Sequence, residues 1–240
     1  MNNIIIIVPV LNEKQNIEIL FKKLNTINIG FDLLFIDDNS SDGSREIIKN
    51  LVKNNQNINY IFRPKKMGVG SAHKDGFIWA YKKNYKIIIT MDADGTHDPK
   101  NIKFLIEELE NCDIVITSRF LKKNSLENWP LQRIFLTRAR HVLISSFLSM
   151  SYDASGAFRC IKCQKVTLSD LILAKNNDYA YFWESIFILH RKKYRIGQIP
   201  IYLPYRIVGS SKMTMKDIFF SLYYLMIVFL KRILGKYNFK

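Results

Sequence analysis

The chain has 240 residues, of which 48% are hydrophobic, so it is long enough to bury the core of one α/β domain. Its formal net charge is +15 at pH 7, which favours anionic partners such as nucleotide phosphates, nucleic acid or an acidic lipid surface. Cys160 and Cys163 have the C-x-x-C spacing, but neither a second pair nor a nearby histidine completes a zinc site, so we interpret them as packing residues on a strand.

Short apolar segments alternate with longer amphipathic segments through the first half of the chain. The apolar segments predict strands at residues 4–8, 33–36, 58–62, 87–91 and 114–117. The amphipathic segments predict helices at residues 16–24, 44–53, 71–84 and 99–109. This alternation indicates a mostly parallel sheet flanked by helices. No signal-peptide pattern precedes the first strand, so we expect a cytoplasmic protein.

The second half of the chain has a different pattern. A basic helix is predicted at residues 131–149, followed by a turn of small residues at 153–156. The segment from there to Tyr205 shows no clear period, and we expect it to be irregular. No internal repeat or low-complexity linker marks a domain boundary.

Two carboxylates separated by one small residue end the fourth predicted strand, in the sequence T-M-D-A-D-G at residues 90–95. Alternation along a strand points Asp92 and Asp94 the same way. Two like charges held together favour a divalent cation, and carboxylate oxygens suit Mg²⁺ or Mn²⁺. The pair therefore predicts a metal that bridges a diphosphate.

Polar motifs also follow the first three predicted strands. Residues 9–13 read P-V-L-N-E, and residues 37–44 read D-D-N-S-S-D-G-S, which supplies both carboxylates and turn residues. A basic, glycine-containing turn at residues 63–72 precedes a predicted helix, where backbone N–H groups and positive charge can meet phosphate. These motifs lie at the carboxyl ends of the predicted strands. In open α/β sheets, ligands bind at the edge that these strand ends form.

The order of these motifs resembles family 2 glycosyltransferases, and within them the polyprenol-phosphate group typified by dolichol-phosphate mannosyltransferase. Further shared marks are S-R-F at residues 118–120, S-G-x-F-R at 155–159 and R-x-x-G-x-S-K at 206–212. The resemblance runs from Ile4 to about Lys212. It implies a GT-A fold, which is a nucleotide-binding α/β domain, over residues 1–212, followed by an amphipathic helix in residues 213–240.

The resemblance also implies roles for individual residues. Asp92 and Asp94 would hold the metal, with Thr96 as a third candidate ligand, and both aspartates would act in catalysis together with Arg119. The donor nucleotide-sugar, with GDP-mannose or a UDP-hexose as candidates, would be bound by a larger set: Pro9, Leu11, Glu13, Asp38, Asp92, Ala93, Asp94, Arg119, Arg206 and Lys212.

A phosphate acceptor needs positive charge more than it needs a catalytic base, because a phosphate monoester is largely dianionic at neutral pH. The basic second half of the chain suits a polyprenyl phosphate, and the candidate acceptor-phosphate residues are Arg133, Arg159 and Ser155. We expect inversion at the anomeric carbon, as the resemblance implies.

The tail at residues 217–234 is apolar and aromatic, but it is shorter than the roughly 20 apolar residues that a membrane-spanning helix needs. Lysines flank it on both sides, which is typical of a helix that lies in the membrane interface or docks on a small membrane-protein partner. The other interpretation is a helix packed on its own domain or in a dimer. We expect a peripheral protein on the inner face of a membrane.

Two other functions stay open at this point. The first is a family 2 transferase that glycosylates a saccharide hydroxyl, with Glu184 as the base. The second is a basic nucleic-acid-binding module, which the +15 charge and the interleaved aromatic residues would suit. Because the second leaves the acidic strand-end motifs unexplained, no nucleic-acid partner is expected.

Overall fold

A computed structural model describes residues 2–205 and 212–237. The elements in chain order are β1 (Ile4–Val10), α1 (Lys14–Leu24), β2 (Asp32–Asp37), α2 (Ser44–Asn54), β3 (Ile58–Phe62), α3 (Val69–Lys82), β4 (Ile87–Thr90), α4 (Asn101–Glu108), β5 (Ile114–Ser118), α5 (Leu131–Leu148), β6 (Arg159–Lys162), α6 (Leu168–Leu171), α7 (Ala180–Arg191), β7 (Ile196–Pro200) and α8 (Met215–Ile233).

The seven strands form one sheet in the order β3-β2-β1-β4-β6-β5-β7. Strands β3, β2, β1 and β4 are mutually parallel, and β5 is parallel to β7. Strand β6 runs antiparallel between β4 and β5. The expected α/β architecture with a mostly parallel sheet is therefore confirmed.

Both faces of the sheet are covered, which explains why central strands such as β1 and β4 are continuously apolar instead of alternating. Along β1, Ile5 and Ile7 belong to the core on one face, whereas Ile6 and Val8 belong to the core on the other. Helices α1, α2 and α4 pack on the second face, and α3, α5, α7 and α8 pack on the first. This arrangement brings the carboxyl ends of β1, β2 and β4 to one edge.

The segment expected to be irregular contains β6, α6, α7 and β7, so that prediction is wrong. Helix α7 is buried on all sides, since every residue from Ala180 to Leu189 is shielded from solvent, and it therefore lacks an amphipathic period. Strand β7 contains Gly197 and Gln198, which hide its strand pattern.

Helix α8 packs on the same core as the rest of the domain. Its inner face buries Ser221, Leu225 and Val228, and the Trp183 indole donates a hydrogen bond to the Ser221 hydroxyl at 3.1 Å. A capping box between Thr214 and Asp217 starts the helix. The helix predicted for the tail is present. Within residues 2–205 and 212–237, no helix is both long enough and apolar enough to cross a bilayer.

Candidate functional site

A cavity of about 600 Å³ opens at the carboxyl ends of β1, β2 and β4. The register explains how distant motifs meet there: Val10 lies beside Asp37, and Ile7 lies beside Thr90. The segments that follow these strands therefore converge. Most of the predicted site residues line this cavity: Pro9, Leu11, Glu13, Asp38, Asp92, Ala93, Asp94, Thr96, Arg119, Arg133, Ser155 and Lys212.

The loop after β4 presents the two aspartates to the cavity. Asp94 Oδ1 accepts hydrogen bonds from the Thr96 backbone N–H at 3.1 Å and from its hydroxyl at 2.7 Å. The Asp92 side chain is 40% exposed. No group of three Asp, Glu, His or Cys side chains that could hold a metal is found in the described part of the chain. A pair of carboxylates nevertheless suits Mg²⁺, which is often bound by one or two carboxylates with substrate phosphates and water as its other ligands.

His97 also lines this part of the cavity, although the sequence analysis did not single it out. The Asp92 backbone N–H donates to its Nδ1 at 3.0 Å, and its ring stacks on Phe158 with centroids 5.0 Å apart. Burial lowers the pKa of His97, although the nearby Asp94 opposes that effect. Its position three residues after Asp94 is the signal that could have found it.

Asp38 organises the glycine-containing turn before α3. Its Oδ1 accepts from Arg63 Nη1 and from the Met67 backbone N–H, both at 2.8 Å, and its Oδ2 accepts from the Gly68 N–H at 2.9 Å. Gly68 has a φ of +96°, and an added Cβ would clash with Asp178, so glycine is required there. Asp38 thus holds the turn that brings Lys66 to the cavity wall.

Arginines gather around Ser155 at another part of the wall. Arg119 Nη2 and Arg140 Nη2 donate to the Ser155 hydroxyl at 2.5 and 3.2 Å. Arg119 also forms an ion pair with Asp153. The two arginines, Arg119 and Arg140, together with Asp153 therefore carry a net charge of +1. Burial and then the charge of Arg119 lower the pKa of Arg140 to about 10. This excess of positive charge suits a bound anion.

Arg133 lies on the same side of the cavity, between two aromatic rings. Its guanidinium carbon is 4.5 Å from the Trp129 ring centroid and 5.4 Å from that of Tyr205. The Trp129 indole is fixed in turn by a hydrogen bond to the Leu203 carbonyl at 3.0 Å. The rings that hold Arg133 come from segments that the sequence analysis assigned no role.

Two predicted residues lie elsewhere. The Arg159 guanidinium is buried and donates to the carbonyls of Ala154, Gly156 and Phe182 and to the Ser185 hydroxyl. It shapes the turn that carries Ser155 and is not among the residues that line the cavity, so the structure does not bring it together with the other acceptor-phosphate candidates.

Glu184, the candidate base, is fully buried outside the cavity. It accepts from the backbone N–H groups of Lys175 and Asn176 at 3.1 and 2.9 Å. The hydroxyls of Tyr224 and Tyr237 donate to it at 2.8 and 3.2 Å. These bonds tie α7 to the tail, so Glu184 has a structural role here. Arg206, predicted to face phosphate, lies outside the described residues.

Sequence comparison identifies a family and, among other relatives, two named enzymes. The family model described as Glycosyl transferase family 2 matches residues 5–172. An undecaprenyl-phosphate mannosyltransferase of Micrococcus luteus is 27% identical over 212 residues, which cover 88% of this chain and 87% of that protein. A polyprenol monophosphomannose synthase of Mycolicibacterium smegmatis is 24% identical over 217 residues, which cover 89% of this chain and 82% of that protein.

Structural comparison concerns the fold. Glucosyl-3-phosphoglycerate synthase from Mycobacterium tuberculosis, solved in complex with Mn²⁺, UDP and glucosyl-3-phosphoglycerate, superposes with a TM-score of 0.65. The match covers 99% of this chain and 81% of that one at 15% identity. The expected GT-A fold is thereby confirmed.

Proposed function

The chain belongs to glycosyl transferase family 2 and is a glycosyltransferase, and on that premise we propose that it transfers a sugar from a nucleotide-sugar to a polyprenyl phosphate. Both curated relatives are named for reactions of polyprenyl phosphates with mannose. In this proposal a phosphate oxygen of the acceptor attacks the anomeric carbon. The bond to the leaving nucleoside diphosphate breaks in line, so the anomeric configuration inverts.

The observation that carries the proposal is the distribution of charge in one cavity. A pair of carboxylates, Asp92 and Asp94, lies on its wall together with the arginines around Ser155. The carboxylates would hold a divalent cation against the donor diphosphate, and the arginines would bind the acceptor phosphate. A dianionic acceptor needs no proton removed before it attacks.

Mg²⁺ or Mn²⁺ fits Asp92 and Asp94, because hard carboxylate oxygens are the ligands both ions prefer. When bound, the ion would neutralise the charge that develops on the leaving diphosphate. Lys66 and Lys212 line the same cavity and would add positive charge near that group. The Thr96 hydroxyl donates a hydrogen bond to Asp94 Oδ1 at 2.7 Å. Because it lies beside that carboxylate, it stays a candidate ligand for the same ion.

The outer face of α8 supports association with a membrane surface. Phe219 and Phe220 are 69% and 64% exposed, and Leu131 at the start of α5 is 83% exposed. The two helices pack together through Phe147 and Phe229, whose ring centroids are 4.4 Å apart. The exposed apolar side chains of these two helices, the α5 and α8 surface, would favour insertion into a membrane interface.

The α5 and α8 surface adjoins the cavity, because both helices begin beside it. Arg133 near the start of α5 and Asp217 near the start of α8 both line the cavity. A lipid acceptor whose chain stays in the membrane could therefore present its phosphate to the arginines. Lys216 and Lys231 would be attracted to anionic headgroups, whereas Arg232 already donates to the Phe147 carbonyl and to the Ser149 hydroxyl.

The two other functions have less support. Transfer to a saccharide hydroxyl with Glu184 as base conflicts with the buried, hydrogen-bonded position of that carboxylate. A Glu184→Gln variant should therefore keep its turnover, with lower stability as its main defect. Nucleic-acid binding leaves the carboxylates of the cavity without a role.

A donor screen by thermal unfolding tests the donor half of the proposal. GDP-mannose, UDP-glucose and their free nucleoside diphosphates are each added with Mn²⁺ and with EDTA. We expect a large rise in Tm with one nucleotide family and Mn²⁺ together, which corresponds to about 2.7 kcal/mol of added stability when the donor is at 100 times its Kd. A donor that stabilises equally in EDTA would contradict the metal role, and no stabilisation by any donor would contradict the donor class.

A further inference from the structure

The side chain of His97 hydrogen-bonds the backbone of Asp92, in the loop after β4, and lies near the carboxylate of the same residue. The Asp92 backbone N–H donates to Nδ1 at 3.0 Å, and Nε2 lies 3.8 Å from Asp92 Oδ2. The imidazole is buried and stacked on Phe158, which restricts the positions that its ring can take. His97 therefore holds the backbone of Asp92 and presents Nε2 towards its carboxylate.

The backbone bond determines which nitrogen of His97 carries the proton. Nδ1 accepts from an N–H group, so in the neutral ring the proton is on Nε2, the nitrogen that faces the Asp92 carboxylate. An Nε2 that carries a proton has no lone pair to offer a metal. It can instead attract the carboxylate oxygen that it faces at 3.8 Å, so this geometry favours a supporting role over direct ligation.

Asp94 has an analogous neighbour in the same loop. The backbone N–H and hydroxyl of Thr96 both bond Asp94 Oδ1, which fixes that carboxylate from one side. Each carboxylate of the pair thus has a polar neighbour among the five residues that follow it. The two carboxylates must converge on one ion, so the orientation of each affects the affinity of the pair.

We propose that His97 is a positioning residue that holds Asp92 in the orientation needed for the divalent cation. The inference rests on the proposed metal-dependent function, since it assigns His97 to the same site. Residues that orient a metal ligand typically change metal affinity by about 10- to 100-fold when they are replaced. A residue that served packing alone would change stability and leave metal affinity unaltered.

Three substitutions separate the two contacts. His97→Leu removes both of them while keeping an apolar side chain against Phe158. His97→Asn keeps an acceptor near the position of Nδ1, and His97→Gln keeps a donor near the position of Nε2. His73→Leu is the matched control, because His73 is a second buried histidine that bonds the Val69 carbonyl and does not line the cavity.

The measurement is Mn²⁺ binding by electron paramagnetic resonance of the free ion, with GDP or UDP present, alongside Tm for each variant. We expect His97→Leu to raise the Kd for Mn²⁺ about 10- to 100-fold, with His97→Asn and His97→Gln between it and the wild type. His73→Leu should lower Tm and leave the Kd unchanged. A rise in the metal concentration needed for half-maximal activity should accompany the loss of affinity.

Two outcomes would overturn the inference, and they differ from each other. If the wild type binds Mn²⁺ and His97→Leu binds it equally well, His97 is a packing residue and the proposed function stands. If the wild type binds no Mn²⁺ with either nucleotide, the metal-dependent function itself fails and the inference fails with it. Should His97→Leu not fold, His97→Asn and His97→Gln are each compared with the wild type, and an unchanged Kd for Mn²⁺ in both would overturn the inference.

Discussion

Arg119 and Asp153 are joined by two parallel hydrogen bonds, from Nε to Oδ2 at 2.8 Å and from Nη2 to Oδ1 at 2.6 Å. The Arg119 backbone N–H bonds the same carboxylate at 2.9 Å. Burial alone would raise the pKa of Asp153, but the charge of Arg119 and its hydrogen bonds outweigh burial and hold that pKa below its usual value. The pair fixes a guanidinium at the cavity wall.

Replacing Asp153 should therefore damage both stability and activity. In Asp153→Asn the buried Arg119 loses its counter-charge, and breaking such a pair typically costs about 3–5 kcal/mol. We expect urea denaturation to detect a loss of this order, together with a lower kcat/KM. Ser155→Ala is the comparison, since it removes a hydroxyl of the arginine cluster and leaves the ion pair intact. Equal stability of Asp153→Asn and the wild type would contradict this account of the pair.

The same pair predicts acid sensitivity. A carboxyl whose folded pKa is depressed stabilises the protein above its unfolded pKa of about 3.9, and the contribution is lost as pH falls through the folded pKa. In Asp153→Asn this part of the acid destabilisation should be missing.

Metal-dependent donor binding should require Asp94 but not Asp98, although both lie in the loop after β4. Asp94→Asn should abolish Mn²⁺-dependent donor binding, because it removes one of the two negative charges of the pair. Asp98→Asn is the matched control, since the Asp98 carboxylate caps the Lys100 backbone N–H at 3.0 Å and does not line the cavity. Calorimetric titration of the donor with and without Mn²⁺ measures both. Metal-dependent binding that survives in Asp94→Asn would disprove the assignment.

His73 should make the protein less stable as the solution becomes mildly acidic. Burial, and to a lesser extent the charge of Arg159, lower the pKa of His73 to about 4, against about 6.5 in the unfolded chain. Between these values the unfolded state binds a proton that the folded state does not, so stability falls as pH falls, by about 1.4 kcal/mol per pH unit.

A His73→Asn variant should lose that dependence. The measurement is the free energy of unfolding in urea at several pH values from 7 to 4, for the variant and the wild type. The unfolding free energy of the variant should change with pH less steeply than that of the wild type, by about 1.4 kcal/mol per pH unit. The dependence that remains comes from other groups, including His97. Parallel slopes would show that His73 titrates normally or is accessible to solvent.

The exposed face of α8 should be needed for membrane association. Replacing Phe219 and Phe220 with serine removes two exposed rings, each worth about 1.5 kcal/mol when buried, so vesicle binding should weaken on the order of 100-fold. Sedimentation with anionic vesicles measures this. Point substitutions are preferable to a truncation, because Leu225 and Val228 on the inner face belong to the core.

Two controls keep this test specific. Ile19→Ser changes an exposed apolar residue of α1, outside the α5 and α8 surface, and should leave vesicle binding unchanged. Donor binding by the Phe219 and Phe220 variant should also be unchanged, since neither residue lines the cavity. Unaltered sedimentation of that variant would argue for a helix that serves the fold alone.

The first half of the fold was predictable because its local signals agree with its tertiary structure. Strands buried on both faces appear as continuous apolar runs, so the predicted strands at 33–36 and 114–117 fall inside Asp32–Asp37 and Ile114–Ser118. Helices such as Ser44–Asn54 bury one face and therefore show a helical period. The polar motifs at strand ends then had to meet at one edge.

The errors have a common cause, which is that burial and partners are supplied by distant segments. Helix α7 is apolar on all sides, so no period identified it. Arg159 and Glu184 have the residue types expected of functional groups, but their hydrogen bonds go to backbone groups, hydroxyls and tyrosines of other elements. The position of His97 three residues after Asp94 was a usable signal, but its bond to the Asp92 backbone became visible only in the structure.

The acceptor is the central claim, and transfer of a labelled sugar tests it most directly. The enzyme is incubated with Mn²⁺ and the donor found in the thermal screen, in parallel with a polyprenyl phosphate, the matching unphosphorylated polyprenol and a soluble saccharide. We predict a labelled, acid-labile lipid product of inverted anomeric configuration from the polyprenyl phosphate and none from the polyprenol. Transfer to the saccharide or to the polyprenol hydroxyl, with the polyprenyl phosphate left unmodified, would contradict the account.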